Sequence, residues 1–501
     1  MARPPQFDSR MSEAENMMWR LEKDPYLSST VANITVLDTA VDFDRFRYRL
    51  DRASRLVPRL RQRVQPTPVS LTPPLWVDDP EFDLDYHVRH VALPEPGSLR
   101  QLCNLATLIA ADPFDRTRPL WAFYVVDGLE GGQGAIIQKL HHTVADGEGS
   151  LRLSMQFIDL TRDAEDPPMP PEPEPGGAEA PPPPSAVETV RDVVTGGLRM
   201  PIGISRQYRE LLADPTQIPT AGFTLARTVK GVISQLSDVE AAHSPVWTRR
   251  SLKRRLETLR SPLDETKAAA KKLGGTLNTA FICAAAAAAG EYHRAVGAPV
   301  EQLRASMAIS TRTRESGSNA FSLARLLVPT GEMDMAERFR LIHEATTTAR
   351  EASATAGLET IAAVAATLPT SLVTRLAKSQ AQTVDFATSN VRAADFPCYI
   401  AGALILANYA IGPLAGVAFN LTLLSYNGSL DMGMNVDTAA VEDPELLRTC
   451  MESAFAELGQ LGRPARRAAA VSSRPAGARR RAASARRGGG PPPRRSTRAH
   501  D

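Results

Sequence analysis

Cysteine is scarce in this chain of 501 residues. The four cysteines lie far apart, at Cys103, Cys283, Cys398 and Cys450. This spacing contains none of the short pairs that are typical of zinc sites, and it indicates no disulfide framework. The cysteine usage therefore favours a protein of the reducing cytosol, and we expect no metal site built on cysteine.

A long apolar run is missing from the N-terminus. The first twenty residues, MARPPQFDSRMSEAENMMWR, are polar and contain no continuous apolar segment of the kind that a secretory signal requires. We therefore expect a cytoplasmic protein.

The C-terminal stretch 463–501 lacks aromatic residues, leucine and isoleucine. It carries twelve arginines and one acidic residue, so the net charge of +2 for the whole chain conceals a strongly basic end. Such a segment cannot bury enough apolar surface to offset its chain entropy, and we predict that it is disordered. A basic block can attract anionic lipid headgroups, but this one has no aromatic side chains to stack on bases. We therefore expect no specific nucleic acid partner.

Charged residues are absent from 398–430, a stretch long enough to span a bilayer. Asn408 and Asn420 lie inside the run, and Gly412-Pro413 near its middle would interrupt a spanning helix. These breakers favour buried strands at 399–408 and 417–426. The dipeptide Asn427-Gly428 then predicts a two-residue hairpin turn into a third strand at 429–436.

Length and apolar content indicate two lobes. A chain of 501 residues is too long for one small core, and a hydrophobic content of 43% is enough for two. Strand-like and helical patterns alternate in both halves, as in the strand-like run 31–37 and the helical spacing that follows from Phe43 to Val57. We predict an α+β fold in which each lobe is a mixed sheet flanked by helices. The predicted boundaries are an N-terminal lobe at 8–165, a proline-rich linker with connecting helices at 166–244, a C-terminal lobe at 245–462 and the disordered tail at 463–501.

Two strand-like runs, 121–126 and 135–140, predict a hairpin whose second strand leads into His141 and His142. Adjacent side chains on a strand point to opposite faces, so both histidines cannot ligate one metal ion while the strand stays regular. One histidine would face the core, and the other would face a cleft where it can transfer protons near neutral pH. Asp146 and Gly147 follow in a turn that permits close approach of a ligand. From these residues alone, a catalytic base and a polar turn both remain open.

The pattern His-His-x-x-x-Asp-Gly at 141–147, preceded by Pro119-Leu120-Trp121, resembles the bacterial wax ester synthase/diacylglycerol acyltransferase family. That family lies within the CoA-dependent acyltransferase and condensation-domain superfamily. Further similarity lies at Ser389-Asn390-Val391, at 401–403 and at 424–428, so the resemblance spans residues 8 to 462 with the linker as an insertion.

The resemblance implies a two-lobed fold with the active site between the lobes, where acyl-CoA and an alcohol meet at His142. It implies transfer of a long-chain acyl group to diacylglycerol, to a long-chain alcohol, or to both. His142 would be the general base and His141 would supply a supporting hydrogen bond. Asp146 would hold the loop, and Gly147 would leave room for the thioester. No cofactor is implied beyond acyl-CoA as co-substrate.

Three alternatives stay open, and one of them is an interaction protein that works through its arginine-rich tail. A condensation-type acyltransferase would keep the fold and use another acceptor. A catalytically silent lipid-binding or CoA-binding protein is another alternative, because Asn278-Thr279 stands where the family usually has Asn-Asp. The apolar substrates that the family implies and the basic tail also lead to the hypothesis that the protein associates peripherally with the inner membrane or with lipid droplets.

Overall fold

The computed structural model describes residues 9–67, 73–145, 147–173, 242–310, 321–353, 362 and 370–463. The predicted disordered tail beyond Arg463 lies outside the described residues, as does the predicted linker from 174 to 241.

A mixed sheet of seven strands forms the first lobe. Its strands are β1 (Thr30–Leu37), β4 (Val88–Ala92), β5 (Trp121–Asp127), β6 (Gly134–His141), β7 (Ile158–Asp159), β12 (Tyr399–Ile400) and β13 (Ala403–Ile411). They are ordered β4-β5-β6-β1-β13-β12-β7, with β4 and β5 parallel and the other neighbours antiparallel. Two short strands, β2 (Gln62–Gln65) and β3 (Leu75–Asp78), pair separately.

Helices cover both faces of the first sheet. The described helices of this part are α1 (Glu13–Leu21), α2 (Phe43–Leu56), α3 (Leu84–His87), α4 (Leu99–Ala111) and α5 (Gly147–Ser154). Phe46 of α2 is buried in one apolar cluster with Ile136, whereas Leu102 of α4 is buried in another with Ile137. Because neighbouring residues of a strand point to opposite faces, α2 and α4 lie on opposite sides of the sheet.

Local sequence signals fix the ends of these helices. Ser12 and Ser98 each form a capping box with the residue three positions later, and the Asp42 side chain accepts a hydrogen bond from the Arg45 amide. Helix α2 ends at Leu56, because Val57 precedes Pro58 and is held in an extended conformation.

A second mixed sheet has six strands, β8 (Arg254–Pro262), β9 (Gln302–Ser310), β10 (Phe321–Pro329), β11 (Phe386–Arg392), β14 (Phe419–Tyr426) and β15 (Ser429–Asp437). The order is β10-β9-β11-β14-β15-β8, and β11 is parallel to both of its neighbours. The remaining pairs are antiparallel.

The described residues of this half of the chain form five further helices with given bounds: α6 (Leu263–Lys272), α7 (Leu277–Ala295), α8 (Met335–Ser353), α9 (Thr370–Ala381) and α10 (Pro444–Gly462). Helix α7 is the central one, and α6, α8 and α10 pack against it. Its small residues allow this close packing. At Gly290 an added Cβ would lie 1.9 Å from the carbonyl oxygen of Thr330.

The two halves of the chain interlock through β12 and β13, which come from the second half but complete the first sheet. Strand β15 approaches β13 so closely that a Cβ at Gly433 would lie 2.0 Å from the carbonyl oxygen of Ala410. At the end of β14, Leu424 and Tyr426 are buried in the same apolar cluster as Phe46. The two sheets therefore share packing along β13 and the end of β14.

The predicted α+β class, with a mixed sheet and flanking helices in each lobe, is confirmed. The uncharged run 398–430 forms strands, and Asn427 and Gly428 have φ values of 43° and 78°, as the predicted hairpin turn requires. The prediction of one strand at 399–408 is wrong. Ala401 and Gly402 both have positive φ and form a turn, which divides the segment into β12 and β13.

A bend at Thr161 and a turn at Arg162-Asp163 lead into residues 164–173, which include the start of the predicted linker and run along α2 without a helix or strand. The Nε atoms of Arg45 and Arg49 donate to Asp166 at 3.0 and 2.5 Å, and the Tyr48 hydroxyl donates to the Pro167 carbonyl at 2.9 Å. The proline-rich composition excludes regular structure, as expected. Arginines of α2 nevertheless bind this stretch to the first lobe.

No single helix in the described ranges is both long and apolar enough to cross a membrane. The bent pair formed by Leu263–Lys272 and Leu277–Ala295, with 98° between its helices, passes the same test of length and composition.

Tyr426 links the end of β14 to the segment that crosses into the first sheet. Its hydroxyl accepts a hydrogen bond from the Cys398 amide at 2.9 Å and donates one to the Ile405 carbonyl at 3.2 Å. Burial raises the pKa of this hydroxyl to about 12, so it keeps its proton at neutral pH.

We predict that Tyr426→Phe lowers the free energy of unfolding by about 1–3 kcal/mol, because two buried backbone groups lose a partner. Urea denaturation followed by circular dichroism measures the change. Tyr399→Phe is the matched control, since it keeps the ring contact with Arg162. Equal stability of the Tyr426→Phe variant and the wild type would show that this link contributes nothing.

Candidate active site

The two motif histidines lie where β6 ends. His141 is the last residue of the strand and pairs with Thr30 of β1, whereas His142 is the first residue of the turn that follows. We expected the two side chains to point to opposite faces of one strand. That rule applies only up to His141, because His142 already lies in the turn. The imidazole of His141 is buried and His142 is partly exposed, so one histidine faces the interior and the other is accessible.

Backbone hydrogen bonds hold both histidines from two sides. The His141 amide donates to the Leu120 carbonyl at 3.0 Å, and the His142 amide donates to the Ser29 carbonyl at 3.0 Å. Leu120 belongs to the Pro-Leu-Trp segment, and the indole of the buried Trp121 donates to the Leu60 carbonyl at 2.7 Å. The Pro-Leu-Trp segment therefore anchors the backbone of the motif.

Both ring nitrogens of His141 are in contact with polar partners. Nδ1 lies 2.7 Å from the Thr143 hydroxyl and accepts from the Thr143 amide at 3.2 Å. Nε2 lies 3.3 Å from a carboxylate oxygen of Glu22. The edges of Trp19 and Phe114 complete the surroundings, with ring centroids 6.4 and 6.3 Å from that of His141. With both nitrogens engaged, His141 is disposed to support the turn.

Glu22 follows the last residue of α1, and its side chain is only 15% exposed. One carboxylate oxygen accepts from the Ser28 hydroxyl at 2.7 Å, and the other accepts from the Ser29 amide at 2.6 Å. Burial alone raises the pKa of this carboxyl. Hydrogen bonding and charge attraction from His141, with the bonds from Ser29 and Ser28, outweigh burial and bring the pKa below its ordinary value.

Lys139 lies two residues before His141, on the same face of β6. Its ammonium group donates to the Asp112 carbonyl at 2.7 Å and lies 4.3 Å from the ring centroid of Phe114. Burial lowers the pKa of Lys139 to about 8. The interior beside His141 therefore carries one carboxylate and one weakly basic amine.

The second half of the chain contributes the facing side of the site. Helix α5, which begins at Gly147, contacts β11, the strand that contains Ser389-Asn390-Val391. Val144 of the motif turn is buried in the same cluster as Leu424 and Tyr426 of β14. The motif turn therefore lies where the two halves of the chain meet.

Of the four site residues predicted from the sequence, the structure describes His141, His142 and Gly147. The structure brings His141 and His142 together at one turn and places Gly147 at the start of α5. Asp146 lies outside the described residues, and its predicted role stays a prediction. The contacts of Glu22 with His141 and of Ser29 with His142 were not predicted from the sequence. The partners are 119 and 113 positions apart, and no local spacing indicates such a contact.

Comparison with known proteins identifies related chains over most of the length. Residues 11–281 match the model of the wax ester synthase/diacylglycerol acyltransferase catalytic domain, and residues 317–459 match the model of the WS/DGAT C-terminal domain. A putative diacylglycerol O-acyltransferase of Mycobacterium tuberculosis (strain ATCC 25618 / H37Rv) is 32% identical over 474 residues, which cover 92% of this chain and 94% of the relative.

A second relative, the probable diacylglycerol O-acyltransferase tgs1 of Mycobacterium tuberculosis (strain CDC 1551 / Oshkosh), is 28% identical over 454 residues. The match covers 87% of this chain and 92% of that protein.

Two solved structures share the fold. The wax ester synthase/diacylglycerol acyltransferase from Marinobacter aquaeolei VT8 has a TM-score of 0.60 at 22% identity, covering 90% of this chain and 99% of that one. A variant starter condensation domain of rhizomide synthetase, solved in complex with C8-CoA, has a TM-score of 0.53 at 12% identity, covering 91% and 95%.

Proposed function

The chain belongs to the wax ester synthase/diacylglycerol acyltransferase family, and on that premise we propose that it is an acyl-CoA-dependent O-acyltransferase. The proposed reaction moves a long-chain acyl group from acyl-CoA to the hydroxyl of diacylglycerol, of a long-chain alcohol, or of both. Triacylglycerol and wax ester are the corresponding products. The relatives named diacylglycerol O-acyltransferase support the first acceptor.

The observation that carries this proposal is the contrast between the two motif histidines. His141 is buried, whereas His142 is partly exposed in a turn at the junction of the two halves. An alcohol is hardly ionised at neutral pH, so its attack on a thioester needs a positioned base, and an accessible imidazole is suited to that role.

In the proposed mechanism the imidazole of His142 accepts the hydroxyl proton while the alcohol oxygen attacks the thioester carbonyl carbon. The carbon–sulfur bond then breaks, and His142 returns the proton to the departing thiolate of coenzyme A. An ester and free coenzyme A result, with no covalent acyl-enzyme. General-base assistance contributes about 10²–10⁴-fold to the rate, and alignment of the two substrates adds to it.

The remaining motif residues would serve the geometry of the turn. We assign Asp146 to holding the loop through a charge-assisted hydrogen bond, and Gly147 to leaving room for the thioester where α5 begins. His141 supports the turn through its bonds to Thr143 and Glu22. This acyl transfer balances without a metal or another cofactor, so the proposed reaction needs acyl-CoA as its only co-substrate beside the alcohol.

We predict that His142→Ala lowers turnover by about 10²–10⁴-fold, because the alcohol loses its base. Purified protein would receive radiolabelled palmitoyl-CoA with dioleoylglycerol or hexadecanol, and thin-layer chromatography would quantify triacylglycerol and wax ester. His90→Ala is the matched control, since His90 is an exposed histidine bonded to Asp127 on another strand, and its turnover should be unchanged.

Equal product from the wild type and the His142→Ala variant would contradict the mechanism. No product from the wild type with either acceptor would contradict the proposed activity and favour a silent lipid-binding or CoA-binding protein. Product with an amine acceptor alone would favour the condensation-type alternative.

We also propose that the protein works in the cytoplasm and associates peripherally with the inner membrane or with lipid droplets. The apolar substrates and the arginine-rich stretch 463–501 support this. Electrostatic attraction of such a segment to anionic headgroups weakens as salt screens it.

We predict that part of the full-length protein floats with anionic lipid droplets at low salt and is released at high salt. A chain ending at Gly462 is the control and should float less. Full-length protein that stays wholly in the soluble fraction with droplets present would contradict the association.

A further inference from the structure

We propose that Glu22 is a positioning residue for acyl transfer, acting through both motif histidines. This inference rests on the proposed function, because it assigns Glu22 a role in orienting the base of that reaction. Glu22 lies outside every motif that the sequence pattern indicates, and the fold alone brings it to the site.

The carboxylate of Glu22 reaches the two histidines by separate routes. It contacts the imidazole of His141 directly, at 3.3 Å from Nε2. It also binds the Ser29 amide at 2.6 Å, and the carbonyl of Ser29 accepts the amide of His142 at 3.0 Å. The bond from the Ser28 hydroxyl, at 2.7 Å, fixes the carboxylate itself. One side chain therefore holds the ring of one histidine and the backbone of the next.

The contacts of His141 select one tautomer. The Thr143 amide can only donate, and it points at Nδ1 from 3.2 Å, so Nδ1 accepts. The ring proton then lies on Nε2 and is donated to Glu22. A carboxylate that fixes the tautomer and orientation of an imidazole is a recurring device in sites where the ring must stay in place.

The surroundings strengthen this bond. Trp19 and Phe114 approach His141 edge-on, and the guanidinium of Arg116 lies 3.5 Å from the ring centroid of Trp19. Water is largely excluded from the contact, because the side chains of His141 and Glu22 are only 2% and 15% exposed. Hydrogen bonds between a carboxylate and a ring N–H gain strength in such an environment.

The segment that carries Glu22 also contacts helix α9 from the second half of the chain. Arg20 donates to the Thr370 hydroxyl at 3.2 Å, and the ammonium of Lys378 lies 3.3 Å from the carboxylate of Asp24. The same segment therefore links the motif turn to α9.

The test is Glu22→Gln, which keeps the size of the side chain but removes its charge and one of its two acceptor oxygens. We expect kcat to fall by about 10–100-fold, as for other supporting residues of this kind, with little change in KM for palmitoyl-CoA or in the thermal midpoint. Glu257→Gln is the matched control. Glu257 is a buried glutamate bonded to Arg100 and Arg255, and its substitution should reduce stability while leaving kcat unchanged.

A second readout is independent of turnover. Protein labelled with ¹⁵N in its histidines should show the Nε2–H tautomer for His141 in the wild type and a mixture of tautomers in Glu22→Gln. If Glu22→Gln does not fold, Ser28→Ala replaces it, and the loss of one bond to the carboxylate should lower kcat by about fivefold.

Wild-type kcat together with an unchanged His141 tautomer in Glu22→Gln would overturn the inference, as would unchanged kcat in Ser28→Ala if that variant is needed. A wild type without transferase activity would instead contradict the proposed function. The ¹⁵N spectra would then decide the role of Glu22 on their own.

Discussion

The antiparallel pairing of β1 with β6 is the interaction on which the rest of the site depends. Its register ends at Thr30 and His141, and the next hydrogen bond joins the carbonyl of Ser29 to the amide of His142. Because register in a sheet shifts only in whole residues, this pairing determines which histidine faces the interior and which enters the turn. A slip by one residue would exchange their surroundings.

Because the two halves of the chain interlock, residues of the second half pack against the motif turn. Strand β13 enters the first sheet while β14 and β15 remain in the second, so Tyr426 and Leu424 reach the cluster beneath the turn. One buried carboxylate at this crossing has several hydrogen-bond partners. Asp431, fully buried, accepts from Arg260 at 2.8 Å, from the Asn408 amide at 2.8 Å and from Ser429 at 2.7 Å. A buried carboxylate without such partners would be strongly destabilising.

Much of the fold could be predicted from local patterns, because hydrophobic period and turn chemistry act over a few residues. The spacing of Phe46 and Leu50 predicted α2, and the dipeptide Asn427-Gly428 predicted the hairpin turn that joins β14 to β15. The turn at Ala401 could not be predicted, since alanine rarely adopts positive φ and only the packed chain imposes it. The motif identified the histidines, whereas Glu22 became visible only when the fold brought α1 to the end of β6.

In the proposed mechanism an alcohol attacks the thioester directly, with His142 as its base and no covalent acyl-enzyme. Intact-mass spectrometry of the protein mixed with palmitoyl-CoA and no acceptor tests whether an acyl-enzyme forms. We expect unmodified protein and no stoichiometric burst of coenzyme A, with rapid release of coenzyme A once dioleoylglycerol or hexadecanol is added. A protein heavier by one palmitoyl group, formed at the rate of turnover, would contradict this mechanism.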